Sequence, residues 1–135
     1  MNLMPEGKCG RLALMKDRKI VSAILKRFSS LERADYAEVI NRLSVELCTP
    51  RADLQQWGAD PMSIPDAQVA QALRVIKEIV SEKLNSTSAE TKSEVGEVVV
   101  VSPMTVQEMG NNPKEIRTDV LLLMVLRLWA EPSAD

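Results

Sequence analysis

The fold is decided by residues 44–57, which read SVELCTPRADLQQW. Two small residues, Ser44 and Cys48, stand four positions apart, and two large apolar residues, Leu54 and Trp57, follow Cys48 at six and nine positions. In a helix-turn-helix, the first small residue lets two helices cross closely, the second occupies the tight turn, and the apolar pair anchors the second helix in the core. The spacing therefore predicts a helix-turn-helix.

The turn is followed by a strong signal for the start of a helix. Thr49 supplies an N-cap hydroxyl and Pro50 suits the first helical position, so the second helix is predicted from Pro50 to Trp57. Arginine can bind guanine through two hydrogen bonds, and glutamine can bind adenine in the same way. The predicted contacts to double-stranded DNA are Arg51, Ala52, Gln55, Gln56, Thr49 and Arg42. Asp53 lies on the same helix and counts against DNA, because a carboxylate repels phosphates.

Residues 43–57 also have a plainer interpretation. Helix-turn-helix spacing arises by chance in helical proteins, so the segment would equally suit an ordinary corner within a bundle. Gln55 and Gln56 would then form a solvated helix face without a ligand. The sequence leaves both interpretations open.

Residues 11–84 are predicted to form one helical domain behind a frayed terminus at residues 1–10, where Pro5, Gly7 and Gly10 disfavour a helix. Apolar residues at helical spacing and start signals such as Ser63 define its other helices. These are predicted over residues 11–31, 34–47 and 63–84.

The rear of the chain is predicted to differ from the front. Residues 85–96 are polar and indicate a linker, and residues 98–101 are four valines that favour a strand unless their context makes them helical. A last helix, opened by Asn112 and Pro113, is predicted to run to Ala130. Residues 97–135 are therefore predicted to mediate self-association. The residues proposed for that contact are Val99, Val101, Val120, Leu123 and Met124.

Composition narrows the class of function. The 135 residues carry a net charge of −2, divided into +3 over residues 1–57 and −5 over residues 58–135, so indiscriminate coating of nucleic acid is disfavoured. There is no histidine, and Cys9 and Cys48 have no metal-site spacing, so no enzyme activity, metal or cofactor is predicted. Without a long apolar run, we expect a cytoplasmic protein with no membrane partner.

Residues 19–31 (KIVSAILKRFSSL), 44–48 (SVELC) and 54–57 (LQQW) resemble the N-terminal part of the lambdoid-phage CII-type transcriptional activators. The similarity spans about 40 of the 135 residues, and Cys48 stands where that family has a turn glycine. The resemblance implies an all-helical, oligomeric DNA-binding regulator whose recognition helix carries Arg51, Gln55 and Gln56.

The sequence thus predicts a mainly α protein, a helix-turn-helix-containing bundle with one short strand and a C-terminal helix. The predicted function is sequence-specific binding of double-stranded DNA in transcriptional regulation, by a homo-oligomer that acts with the transcription machinery. The alternative is a small helical adaptor that joins proteins without binding nucleic acid. Its support is the acidic rear half, the valine run and the apolar residues 120–126.

Overall fold

A computed structural model describes residues 4–31 and 33–129. Within those ranges the chain forms seven α-helices and two short 3-10 turns, and it contains no strand, so the mainly α prediction is confirmed. The helices are α1 (Met4–Ser29), α2 (Arg33–Leu47), α3 (Arg51–Ala59), α4 (Asp66–Asn85), α5 (Ala89–Val99), α6 (Pro103–Asn111) and α7 (Thr118–Leu128). The 3-10 turns are Pro61–Ser63 and Pro113–Glu115. No helix of the described ranges is long and apolar enough to cross a membrane.

The first four helices lie where the apolar periodicity predicts them, with shifts at their ends. Residues 4–10, predicted to be frayed, form the first turns of α1, and residues 1–3 lie outside the described ranges. Ser63 belongs to a 3-10 turn rather than capping α4, which instead follows Pro65. Proline suits this position because its fixed φ is compatible with the extended backbone that precedes a helix.

The linker predicted at residues 85–96 is wrong, and of the two alternatives for the valine run the helical one holds for Val98 and Val99. Ser88 accepts a hydrogen bond from the Thr91 amide and starts α5, so residues 89–96 are helical. Val95 and Val99 bury one face of that helix, and Val98 lies in its last turn. A lone strand would have no hydrogen-bonding partner, whereas a helix satisfies its own backbone, so context overrides the strand preference of the valines.

Helix α6 was not predicted, and the last helix begins later than expected. Ser102 caps α6 by accepting a hydrogen bond from the Thr105 amide. Asn112 caps a 3-10 turn rather than an α-helix, and α7 starts only at Thr118. Ala130, the predicted end of that helix, lies outside the described ranges.

The chain contains an internal repeat with a period of 52 residues. Cys48 and Val100 both have a left-handed backbone, with φ of 51° and 56°. Asp60 and Asn112 both cap a 3-10 turn with φ of −141°. We call residues 33–85 unit one and residues 89–128 unit two. Each unit consists of a helix, a left-handed turn, a nine-residue helix, a 3-10 turn and a closing helix.

The two units share a helix and form one core. The Ser22 hydroxyl of α1 donates to the Gly58 carbonyl of α3 at 3.2 Å, and the Ser81 hydroxyl of α4 donates to the Gly110 carbonyl of α6 at 2.7 Å. Helix α4 therefore supports unit two in the way that α1 supports unit one. The ring of Phe28 in α1 meets that of Trp129 edge-on at 5.3 Å, which joins the first helix to the end of unit two.

The residues predicted to mediate self-association are mostly buried within one chain. Val99, Val120 and Met124 belong to the core, because α7 packs against α1, α4 and α5. Val101 is partly buried against the same core. Leu123 alone of the five is exposed. The apolar sequence of α7 is thus explained mainly by burial inside the monomer, and Val99, Val120 and Met124 are not placed for the predicted contact.

Candidate nucleic-acid interface

The turn between α2 and α3 is tight and left-handed, at the position that the spacing of residues 44–57 predicts. Cys48 adopts a left-handed backbone, which reverses the chain within three residues. The Thr49 amide donates to the Ser44 carbonyl at 3.0 Å, and the Ser44 hydroxyl donates to the Thr49 carbonyl at 2.6 Å. Leu54 and Trp57 are buried, so all four residues of the spacing motif occupy their predicted places.

Two details of this turn differ from the prediction. The side chain of Cys48 is exposed rather than packed, because the left-handed backbone directs it outward. Thr49 does not cap α3; its hydroxyl donates to the Leu47 carbonyl at 2.9 Å and its side chain is buried. Pro50 precedes the first helical residue, Arg51, without a side-chain cap. Thr49 is therefore structural and cannot reach a ligand.

The outward residues of α3 are exposed as predicted, but they divide into two sides. Arg51 donates a hydrogen bond to the Asn41 side chain, and Gln55 donates to the Tyr36 hydroxyl at 3.2 Å. These contacts tie one side of α3 to the exposed surface of α2. Ala52 is exposed in the same first turn of α3 as Arg51.

Gln56 lies about 100° around α3 from Gln55. Together with Asp53 it lines a depression closed by Ser63 and Gln68, at the junction with α4. The acidic residue that counted against DNA thus lies on the same side as Gln56 and not on the side of Arg51 and Gln55. The two glutamines are neighbours in sequence but belong to different surfaces.

A groove beside α3 brings a lysine to this surface. It has a volume of about 520 Å³ and lies between α1, α2 and α3, where its polar lining includes Lys26, Ser29, Tyr36 and Gln55. Lys19 lies two turns earlier on the same face of α1 and is also exposed. Sequence reasoning missed these lysines as interface residues, although their seven-residue spacing could have revealed a basic stripe.

Arg42 serves the opposite side of α2. It forms ion pairs with Glu46 at 2.6 Å, with Glu82 at 2.5 Å and with Glu78 at 3.7 Å. The hydrogen bonds that Arg42 donates to Glu82 and Glu46 raise the pKa of Arg42, and the one to Glu82 lowers the pKa of that carboxyl. Because three carboxylates already surround it, Arg42 links α2 to α4, away from the exposed side of α3 where it was predicted to contact DNA.

The other acidic residues of α2 also face α4. Asp35 and Glu38 line a cavity with Arg42, Glu82 and Lys83. The groove between α1, α2 and α3 contains Lys26, and none of its lining residues is a carboxylate. We call the surface formed by Lys19, Lys26, Tyr36, Asn41, Arg51, Ala52 and Gln55 the basic face.

Unit two carries different side chains at most of the equivalent positions. Pro103 and Met104 stand in place of Arg51 and Ala52, and Glu94 stands in place of Arg42. Gln107 is the counterpart of Gln55. The two units thus share a backbone but differ in surface chemistry.

Comparison with protein-family models, curated proteins and solved structures finds no match to this chain. The resemblance to the CII-type activators therefore remains a prediction. Among the described residues, no group of three or more histidine, cysteine, aspartate or glutamate side chains is placed to hold a metal ion. Trp57 and Trp129 are buried core residues, as their sequence context predicts.

Proposed function

We propose that this protein binds double-stranded DNA in a sequence-dependent manner, with α3 of unit one in the major groove. The observation that carries the proposal is the left-handed turn at Cys48, which presents an exposed α3 while Leu54 and Trp57 hold it in the core. In DNA-binding helix-turn-helix proteins, this arrangement lets the second helix enter the groove while the first crosses the backbone.

Recognition of DNA requires contacts to base edges and contacts to phosphates, and the side chains of the basic face suit both. Arg51 and Gln55 have the groups that form paired hydrogen bonds with guanine and adenine, respectively. Asn41 and Tyr36 hold them in defined positions before binding, which reduces the entropy lost on forming specific contacts. Lys26 lines the groove beside α3 and Lys19 lies two turns earlier on α1, so both supply cations that suit phosphate contacts, which fix orientation and affinity.

The net charge of −2 does not oppose this assignment, because the basic groups are concentrated on α1 and the start of α3. Unit two, with Pro103 and Met104 at the positions of Arg51 and Ala52, is not part of the proposed interface. A function in transcriptional regulation follows from the same proposal. The adaptor alternative keeps one specific observation in its favour, namely the exposed apolar residues of unit two.

A titration against duplex DNA tests the proposal. A fluorescently labelled mixed-sequence duplex of about 25 base pairs would be titrated with protein at several salt concentrations, and log affinity plotted against log salt. Removal of one phosphate-contacting cation lowers the slope of this plot by about one. We therefore expect Lys26→Ala to reduce the slope by about one, and Arg51→Ala to weaken binding.

Arg74→Ala is the matched control. Arg74 is an exposed arginine of α4 whose side chain pairs with Glu78, away from the basic face. Its removal changes the net charge by the same amount, so general attraction to DNA would fall equally in both variants. If Arg74→Ala and Lys26→Ala lower the slope alike, or if no salt-dependent binding occurs, the proposed interface is wrong.

A further inference from the structure

The internal repeat extends to the helices that support the two units. Residues 20–25 of α1 read IVSAIL, and residues 79–84 of α4 read IVSEKL, 59 positions later. Ser22 and Ser81 are equivalent in this register, and each donates to a glycine carbonyl of the nine-residue helix that it supports. Residues of α1 therefore have identifiable counterparts in α4, and the counterparts can be compared in their contacts.

Arg18 of α1 is engaged by the closing helix of unit one. Its Nε donates to the Ile64 carbonyl at 3.0 Å, and its guanidinium also forms an ion pair with Asp66. Asp66 is the first residue of α4. The charge of Arg18 is thus neutralised within the fold, at the point where α1 meets the start of α4.

Lys77 is the counterpart of Arg18, and it lacks this neutralising contact. The position equivalent to Asp66 is Thr118, the first residue of α7, which carries no charge. Lys77 forms no ion pair with another residue of the ranges that the structure describes. Unit two therefore keeps the cation of unit one but not its internal carboxylate.

Lys77 lines a cleft in which unit two has gained a second cation. Lys114 lies in the same cleft, where the equivalent residue of unit one is Met62. The cleft has a volume of about 530 Å³ and lies between α1, α4 and the 3-10 turn Pro113–Glu115. Its apolar lining residues are Val69, Ala70, Leu73 and Pro113. Small-molecule sites commonly have this size and combine an apolar lining with a few charged groups.

The charges of the cleft leave room for one negative group. Its described lining residues include three cations and two carboxylates, so one positive charge is in excess. Of the carboxylates, Glu78 already pairs with Arg74 at 2.9 Å and with Arg42 at 3.7 Å. The other carboxylate, Asp17, disfavours a second negative charge in a ligand.

We infer that this cleft binds a small amphipathic anion, namely an organic carboxylate with an apolar body. The carboxylate lies between Lys77 and Lys114, because hydrogen bonds from ammonium groups to an anion are stronger than neutral ones. The body covers Val69 and Leu73, and the aliphatic stems of the two lysines extend the apolar surface. The cleft shares no residue with the basic face, so its test is independent of the proposed function.

Isothermal titration calorimetry with decanoate, below its micelle concentration, tests the inference. We expect saturable binding of one decanoate per wild-type chain. The neutral analogue 1-decanol should bind at least about tenfold more weakly, because it leaves both lysines without an anion. Lys77→Gln/Lys114→Gln should raise the dissociation constant for decanoate at least about tenfold. Thr118→Asp should raise it too, because it gives Lys77 the carboxylate that Arg18 has in unit one.

Arg33→Gln/Lys92→Gln is the matched control, because it removes two cations from positions outside both the cleft and the basic face. It should bind decanoate as the wild type does, and circular dichroism should show equal helicity for all four proteins. Absence of saturable decanoate binding by the wild type would overturn the inference. So would equal affinities for decanoate and 1-decanol, or equal losses of decanoate affinity in the two double variants.

Discussion

Replacement of Cys48 by glycine should stabilise the protein. Cys48 has φ of 51°, which is an unfavourable backbone conformation for a non-glycine residue. Its side chain is exposed, so no buried contact offsets this cost. A non-glycine residue in this conformation costs roughly 1–2 kcal/mol. Glycine removes that cost but loses about 0.5–1 kcal/mol more conformational entropy on folding. The weak contact from the Cys48 thiol to the Val45 carbonyl, at 3.8 Å, adds little to the balance.

The net gain for Cys48→Gly is about 0.5–1 kcal/mol, which corresponds to a rise in Tm of about 2–4 °C for a domain of this size. Urea unfolding followed by circular dichroism would measure the free energy of unfolding, and a thermal scan would give the Tm. Ala70→Gly is the matched control. Ala70 is exposed within α4, so glycine there should cost about 1 kcal/mol.

The two substitutions are therefore predicted to change the free energy of unfolding in opposite directions. The reason is that φ is positive at residue 48, whereas residue 70 has the negative φ of an α-helix. If Cys48→Gly destabilises the protein as Ala70→Gly does, then the backbone at residue 48 is not left-handed. The turn between α2 and α3 would then differ from the geometry that supports the proposed function.

Two further sets of variants test the ion-pair network and the repeat. The bond from Arg42 lowers the pKa of Glu82, so its stabilising effect is present above the ordinary carboxyl pKa and is lost as pH falls through the lowered pKa. Glu82→Gln should thus be less stable than wild type near neutral pH and equal to it in acid; a pH-independent difference in urea unfolding would contradict this. Ser81→Ala and Ser22→Ala should each cost about 1 kcal/mol of unfolding free energy, because each buried hydroxyl bonds the equivalent helix of its unit. Exposed Ser93→Ala should cost less than about 0.5 kcal/mol, and equal losses in all three would count against the shared packing.

The elements that the sequence predicts correctly are those in which apolar residues at helical spacing and turn-forming residues indicate the same helix. Helices α2 to α4 follow from the apolar spacing around Leu43, Leu54 and Ile76, and the turn follows from the motif at residues 44–57. The exposure of Arg51 and Gln55 follows too, since these polar residues stand four apart and share a side of α3 next to the one that Leu54 and Trp57 bury.

Other features depend on tertiary contacts that local patterns do not report. The four valines at residues 98–101 favour a strand locally, but α5 has a buried face to fill and a strand would have no partner. Arg42 looks like a DNA contact until the position of Glu82, forty residues away, is known. The predicted interface at Val120 and Met124 failed because the apolar sequence alone cannot distinguish a monomer core from a contact between chains.

The internal repeat is visible in the sequence, but it was not predicted from it. Residues 58–64 (GADPMSI) and 110–116 (GNNPKEI) share a glycine, an Asp or Asn, a proline and an isoleucine in the same order, 52 residues apart. Each set ends a short helix, caps a 3-10 turn and buries an isoleucine. Self-comparison at this period would have predicted α6, and with it the second unit.

Selection of bound sequences from a random duplex pool, at near-physiological salt, tests the central claim most directly. The wild type would be run beside Arg51→Ala/Gln55→Ala and beside Arg74→Ala/Gln107→Ala, which removes the same residue types from exposed positions outside the basic face. We predict one enriched motif for the wild type and for the second variant, and none for Arg51→Ala/Gln55→Ala. The absence of any motif with the wild type, or the same motif with Arg51→Ala/Gln55→Ala, would contradict the assignment of α3 as the helix that reads DNA.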